Sequence, residues 1–194
     1  MSLLNQEIET FYPQNREQWR QWLVNNHNSK ASIWVVFYKI KSAMPTISWS
    51  EAVDEALCFG WVDSRKKPVD DQKYIQFYCK RKAASTWSKI NKEKIARLLA
   101  ERLIQPAGLA SIETAQHNGS WNILDDVEEL KIPVDLEAAL LSNEGAMEFY
   151  LSLSKSKRKQ ILQWLVLTKV EKTRQKRIDE IAGLAAQKKK PKWL

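Results

Sequence analysis

The sequence predicts an α+β fold: a small antiparallel sheet packed by helices, with a C-terminal helical segment docked on it. Three observations carry that expectation. Residues 33–38, IWVVFY, are apolar on both alternating faces and rich in β-branched and aromatic side chains, the composition of a central strand. Residues 61–67 and 73–79 flank a Pro-Val-Asp-Asp turn at 68–71 with proline at a preferred position, and so read as a hairpin. Between residues 134 and 187 the apolar positions recur at helical spacing. The organisation that follows is an α+β domain over residues 1–120, an acidic connector over 121–134, and a helical segment over 135–194. Its final stretch, QKKKPKWL, reads as a frayed basic tail.

Taken in order, residues 16–26 place Trp19, Trp22 and Leu23 on one stripe of an amphipathic helix. After the strand at 33–38, Ser48 and Glu51 form a capping-box pattern that opens a helix burying Val53, Ala56 and Leu57. That helix stops at Gly60, where a left-handed cap is least costly for glycine, and Trp61 folds back on its last turn. On the returning strand of the hairpin, Ile75, Phe77 and Cys79 share the expected core face, and Tyr74, Gln76 and Tyr78 share an expected binding face. Ser85 or Thr86 caps the next helix, with Ile90, Ile95, Leu98, Leu99 and Leu103 on its apolar side. Pro106 separates this from a short helix over 108–116, and Asn118-Gly119-Ser120 is a clear turn.

Composition narrows the function classes. With 44% hydrophobic and 28% charged residues, the chain has the balance of a soluble globular protein. Neither a cationic leader followed by an apolar run nor a stretch near the ~18 apolar residues of a membrane span occurs, so a cytoplasmic location is expected. Cys58 and Cys79 lie in apolar periodic segments and read as reduced core thiols. With His27 and His117 the only histidines, no metal and no cofactor are expected. The net charge of +8 is unevenly divided: −2 over residues 1–64, +8 over 65–102, −8 over 103–150 and +10 over 151–194. Alternation of this kind favours internal pairing of the acidic block with one basic block, leaving the other for an anionic partner or for solvent.

The best-motivated site is Lys80-Arg81-Lys82 running into a helix start at Ser85, Trp87 and Ser88. A cationic approach, small hydroxyls and unpaired backbone N–H groups are what an anion requires. Arg65, Lys66 and Lys67 of the hairpin would add charge, with Tyr74, Gln76 and Tyr78 adding an aromatic and amide surface. A half-exposed Trp87 would suit stacking, and a capped helix with solvated lysines is the structural alternative. Asp63 is the one acid placed for a pocket; hydrogen bonding to backbone at the strand start is its structural alternative. Asp63 and Ser64 do not form a catalytic pair, because adjacent strand residues face opposite ways and no histidine lies near to activate a serine. A second basic surface gathers Lys155, Arg158, Lys159, Arg174 and Arg177. Cations at a helix start oppose its dipole, so this surface needs either the acidic block at Asp125, Asp126, Glu128 and Glu129 or an external polyanion such as nucleic acid. Internal pairing is preferred, since the acidic block otherwise lacks a role.

Four motifs in order, EALCFGWVDSRKK (55–67), YIQFYCKRKAASTWSKINKEK (74–94), PAGLASIETAQHNGSW (106–121) and the segment 153–178 beginning LSKSKRKQILQWL, resemble the YdeI/OmpD-associated, or bacteriocin-protection, proteins. The resemblance implies a stress- or protection-type role and supplies no catalytic residues. The expectation is therefore a cytoplasmic, non-enzymatic protein whose partner is a small anionic ligand held at the basic, aromatic hairpin and following helix. Nucleic-acid binding through the C-terminal cations and an enzyme with an Asp63-centred pocket are the two alternatives.

Overall fold

A computed structural model describes residues 9–194, and the chain divides between Trp121 and Asn122 into two compact units. The first is α+β. Its elements are β1 (Thr10–Phe11), α1 (Arg16–Asn26), β2 (Ser32–Tyr38), α2 (Trp49–Cys58), β3 (Trp61–Pro68), β4 (Lys73–Lys80), α3 (Lys89–Ala100) and α4 (Pro106–His117). The sheet order is β1-β2-β4-β3. The hairpin and β2 are antiparallel as expected, but β1 joins β2 in parallel, so the sheet is mixed.

Register reverses the two faces expected for β4. Ile33, Val35 and Phe37 of β2 are buried and lie opposite Tyr78, Gln76 and Tyr74. The face expected to bind is thus the core face: Tyr78 is wholly buried against Trp19 and Phe37, and Tyr74 stacks on Phe37. Phe77 and Cys79 lie half-buried on the opposite face, with Ile75 more deeply covered there. Because β4 is apolar or aromatic at nearly every position, alternation alone does not tell its faces apart, and pairing with β2 decides.

The helices cover that inner face. Trp19 and Leu23 of α1, the buried run Ala52–Cys58 of α2, Ile95 and Leu98 of α3, and Ile112 and Ala115 of α4 close one core with the sheet. The capping box opens α2 as its sequence requires: Ser48 N donates to Glu51 Oε2 at 3.0 Å and Glu51 N to Ser48 Oγ at 3.2 Å. The N-cap of α3 is Ser88, not Ser85 or Thr86, and accepts from Asn91 N at 3.2 Å. At 100° per residue Ile90 lies across the helix from Ile95, and both it and Leu99 are exposed, correcting the expected apolar stripe.

Two glycines set where α2 ends and α4 passes. Gly60 adopts φ +71°, and a Cβ there would lie 2.8 Å from Ala107 O. A Cβ on Gly108 would lie 2.4 Å from Cys58 O. The close crossing is sealed by Gln105 N donating to Cys58 O at 2.9 Å.

The second unit is helical: α5 (Asp125–Glu128), α6 (Val134–Leu141), α7 (Ala146–Ser152), α8 (Lys155–Val166) and α9 (Glu171–Ala186). Residues 122–134 take part in its core through Leu124 and Val127, which pack with Leu136, Leu140, Tyr150, Leu165 and Ile181 among others. The tail expected to fray instead turns back: Pro191 is buried, Trp193 lies 4.6 Å from Trp164, and Leu194 packs on the core.

Two outcomes follow from these contacts. Gly108→Ala should lower stability by about 2 kcal/mol, the cost of overpacking a closed crossing, seen as a lower urea midpoint at unchanged slope. Asp135 accepts two hydrogen bonds from Arg174, at 2.6 and 2.9 Å, and that pairing holds its carboxyl below the usual range. A depressed carboxyl contributes stability above its unfolded value, about 3.9, and loses it as pH falls through the lower folded value. The stability gap between wild type and Asp135→Asn should therefore be full at neutral pH and close in acid, as read by denaturation at a series of pH values.

Candidate functional site

The inner end of the β3–β4 hairpin gathers the polar groups. Between Asp63, opposite Tyr78, and Lys66, opposite Gln76, β3 carries one extra residue, a β-bulge at Ser64 and Arg65. The bulge keeps Asp63 on the inner face and sends Arg65 to the outer one, where its guanidinium lies 5.3 Å from the Phe77 ring and 5.9 Å from Trp34. The buried Gln76 amide satisfies the bulge, donating from Nε2 to Ser64 O at 3.0 Å and to Asp63 Oδ2 at 3.1 Å. Trp49 Nε1 adds a second bond to the same Oδ2 at 3.0 Å. Asp63 is thus held by two side chains from β4 and α2, not by backbone at the strand start.

Beyond β4 the chain turns at Arg81. Its backbone N–H donates to Gly60 O at 2.9 Å, and its Nη1 to Thr86 O at 2.8 Å. The guanidinium stacks 3.8 Å from the Trp87 ring centre. Trp87 is not half-exposed: it is 1% accessible and packs against Trp121 at 4.9 Å. Ala83 O anchors the intervening loop by accepting from Asn118 Nδ2 at 2.8 Å and Ser120 Oγ at 3.1 Å.

Four buried donors of this corner lack an acceptor: Arg81 Nε and Nη2, Trp87 Nε1 and the Tyr78 hydroxyl. Burial pulls the Arg81 guanidinium down to about 10, while Asp63 and Cys79 act in the other direction. Burial, with Asp63 adding to it, pushes the Tyr78 phenol far up, so the hydroxyl stays a donor. A desolvated cation with unspent donors is a poor resting state and a good receptor for an anion. Arg81 also lines a cleft of about 300 Å³ with His27, Lys80, Gly60, Ser111 and Thr114.

Of the residues singled out in the sequence, Asp63, Gln76, Tyr78, Arg81 and Trp87 come together at this inner corner. Tyr74 takes the Lys66 ammonium over its ring at 3.8 Å, further along the same face. Lys82 is exposed on the loop, Ser85 is half-buried, and Ser88 is spent as the α3 cap. Arg65 and Lys67 are not part of the corner: Arg65 is on the outer face, and Lys67 borders a separate hollow with Pro68 and Ile75. Sequence reasoning missed Trp49, whose position at the first turn of α2 marks no contact with Asp63.

Of the five cations expected to form the basic surface of the second unit, three are engaged within it, while Lys155 and Arg158 lie in the first turn of α8. Lys159 pairs with Glu128, and Arg174 with Asp135. Arg177 stacks 4.3 Å from the Trp164 ring and donates to Trp164 O and Thr168 Oγ1. Lys131 meets Asp126 at 3.0 Å and Glu129 at 2.7 Å. Three acids of the block, Asp126, Glu128 and Glu129, therefore pair with lysines of their own unit. Among the described residues, no group of three or more His, Cys, Asp or Glu is placed to hold a metal ion. Burial pushes the Cys58 thiol up to about 11, away from the thiolate a nucleophile needs.

With a four-stranded sheet under four helices and a separate helical unit, the architecture is α+β with a C-terminal helical segment. Over residues 11–111 the chain belongs to the family of the domain of unknown function DUF8412. Residues 129–188 match the family described as bacteriocin-protection, YdeI or OmpD-associated. The resemblance read from the sequence is thus met by the last of its four motifs, while the first two fall within the domain of unknown function. No curated protein matches the chain, and no solved structure does. No helix among the described residues is long and apolar enough to cross a membrane.

Gln76→Leu keeps the volume but leaves Ser64 O and Asp63 without the amide. It should cost about 2 kcal/mol in chemical denaturation, the penalty for stranding partly buried acceptors.

Proposed function

We propose that the protein is of the bacteriocin-protection type and acts by binding a small anion, without catalysis, with Arg81 as the primary contact. The single observation behind this reading is the Arg81 guanidinium with its buried Nε and Nη2 lacking acceptors, stacked on Trp87, whose buried indole N–H also lacks one. A carboxylate or phosphate oxygen entering by the cleft beside Arg81 would meet a cation already stripped of water and stacked on Trp87, so little reorganisation is needed on binding. The match of residues 129–188 supports the protection role. A cytoplasmic setting belongs to the same reading and suits two free cysteines.

The alternatives draw less support. Nucleic-acid binding through the C-terminal cations Lys155, Arg158, Lys159, Arg174 and Arg177 draws less support because three of the five, Lys159, Arg174 and Arg177, are engaged with Glu128, Asp135 and Trp164. An enzyme built on Asp63 would need that carboxylate open to substrate, whereas Oδ2 already accepts from Trp49 and Gln76 and Asp63 is not among the residues lining the cleft beside Arg81.

Isothermal titration with pyrophosphate and citrate tests the proposal on wild type, Arg81→Ala and Arg81→Lys. We expect saturable binding of at least one anion, weakened about tenfold or more in Arg81→Ala, as for loss of a charge-assisted hydrogen bond. Arg81→Lys keeps the charge, guards against misfolding of the alanine variant, and should bind more weakly than wild type because it lacks the planar fork. Binding unchanged in both folded variants, or no binding of any anion by wild type, would overturn the reading.

A further inference from the structure

The four helices of the first unit close their core on the inner face of the sheet. An antiparallel ladder covered on one side ordinarily turns polar side chains to the other. Here β2 and β4 instead turn Trp34, Val36 and Tyr38 outward, opposite Phe77, Ile75 and Lys73. Trp34 and Phe77 are half-buried and stand outside that core. They are partners across the two strands, with ring centres 5.1 Å apart. One step along the same face, Val36 and Ile75 line a hollow of about 410 Å³ together with Lys67 and Lys73. Apolar and aromatic surface of this kind outside a core marks an interaction site more often than a structural one.

The charge on this face is of one sign. Arg65 and Lys67 of β3 lie outward beside Phe77 and Ile75, and Lys73 continues the row on β4, while no outward position of β2, β3 or β4 is an acid. The acids at its margins are taken: Asp70 accepts from the amides of Gln72 and Lys73 and lies 3.8 Å from Lys73 Nζ, and Glu9 holds Lys30 at 2.7 Å. Arg65 is exposed and meets ring faces, not a carboxylate, among the described residues. Its guanidinium is 5.3 Å from the Phe77 ring and 5.9 Å from Trp34, against 3.8 Å for Arg81 on Trp87. It therefore hangs over both rings without being seated on either.

We propose that the outer face of the sheet binds single-stranded nucleic acid, its bases stacking on Trp34 and Phe77 and its phosphates meeting Arg65 and Lys67. Unpaired bases offer the planar rings that an aromatic pair accepts, largely irrespective of sequence, and the backbone supplies the negative charge that the cations call for. A duplex keeps its base faces stacked within and offers only the charge. A second copy of the chain does not fit, because a two-fold contact would set an all-positive face against itself. The Trp34–Phe77 and Val36–Ile75 rows are two residues apart along the strands, ~7 Å, so the hollow lies where a strand would continue past its first stacked base. The surface uses none of the C-terminal cations, and it does not rest on the anion reading of the Arg81 corner, which lies on the inner side of the sheet.

The test is fluorescence anisotropy of an end-labelled single strand of about ten nucleotides, as DNA and as RNA, titrated with the full chain. Saturable binding of at least one of the two is expected, weakening as salt is raised and tighter than that of a duplex of the same length. Arg65→Ala/Lys67→Ala changes only exposed side chains and should weaken binding about tenfold or more with a flatter salt slope. Phe77→Leu keeps an apolar side chain on the face but removes the ring, and should weaken binding about tenfold at unchanged salt slope, as for one lost stacking contact. A merely structural Phe77 would lower the urea midpoint and leave the affinity of the folded protein alone. Binding should persist in Arg81→Ala, which separates this face from the corner, and in Lys155→Ala/Arg158→Ala, which separates it from the C-terminal cations. No binding of either strand, a duplex bound as tightly, affinity unchanged in both face variants, or affinity lost only in Lys155→Ala/Arg158→Ala would overturn the proposal. So would equal competition by polyglutamate, which would assign the face to an acidic polypeptide.

Discussion

Two consecutive acids in the middle of α2 determine how the first unit is assembled. Asp54 and Glu55 are 5% and 1% accessible, on a helix whose next three residues are also buried. Successive helical positions point about 100° apart, so the two carboxylates reach different neighbours. Glu55 meets Arg16 at 2.5 Å and Arg20 at 2.6 Å on α1; Asp54 meets Lys94 at 2.6 Å and Arg97 at 2.5 Å on α3. Removing a carboxylate from water costs several kcal/mol, and here each is offset by two charge-assisted bonds. Arg20 extends the clamp by donating to Leu103 O at 3.1 Å, just ahead of the Gln105 contact that places α4. A hydrophobic α2 would pack as well but would leave the angles of α1 and α3 less constrained.

The Arg81 corner inherits its geometry from that clamp. With α2 held, its C-terminal turn at Gly60 is fixed, and Gly60 O receives the Arg81 amide. The first turn of α2 places Trp49 on Asp63, and the bulge in β3 keeps Asp63 inward. Tyr78 and Trp87 complete the corner from β4 and from the loop before α3. Each donor is immobilised by packing that serves the core, which is why unpartnered donors persist there without collapsing onto one another. Buried polar groups without partners are uncommon in native cores, which is what supports the proposal that this corner binds an anion.

Charge in the second unit is sorted by the same rule of pairing. Glu128, Asp126, Glu129 and Asp135 take up Lys159, Lys131 and Arg174, and Arg177 is absorbed by an aromatic face and a carbonyl. The basic block of residues 151–194 is therefore a smaller surface than its formal charge implies. The tail is returned to the unit by the apolar contacts of Pro191, Trp193 and Leu194.

Local chemistry in the sequence was enough to determine several elements. The capping box at Ser48 and Glu51, the left-handed stop at Gly60 and the helical periodicity after residue 134 each depend on neighbours a few positions away, whereas the hairpin turn begins only after Pro68, which ends β3, and is held by Asp70. Arg81, Trp87 and Asp63 stood out in the sequence because unusual side chains cluster there. The buried face of β4 was not legible, because its residues are apolar or aromatic on both sides and only the register with Ile33, Val35 and Phe37 distinguishes them. Nor was the fate of each cation, since Arg174 finds Asp135 and Arg97 finds Asp54 across long stretches of chain, and linear charge density carries no information on which pairs close. Cap and turn preferences act over one helical turn or less; burial and ion pairing are decided by the elements that tertiary packing brings within a few ångströms, and that is where the function of the protein is set.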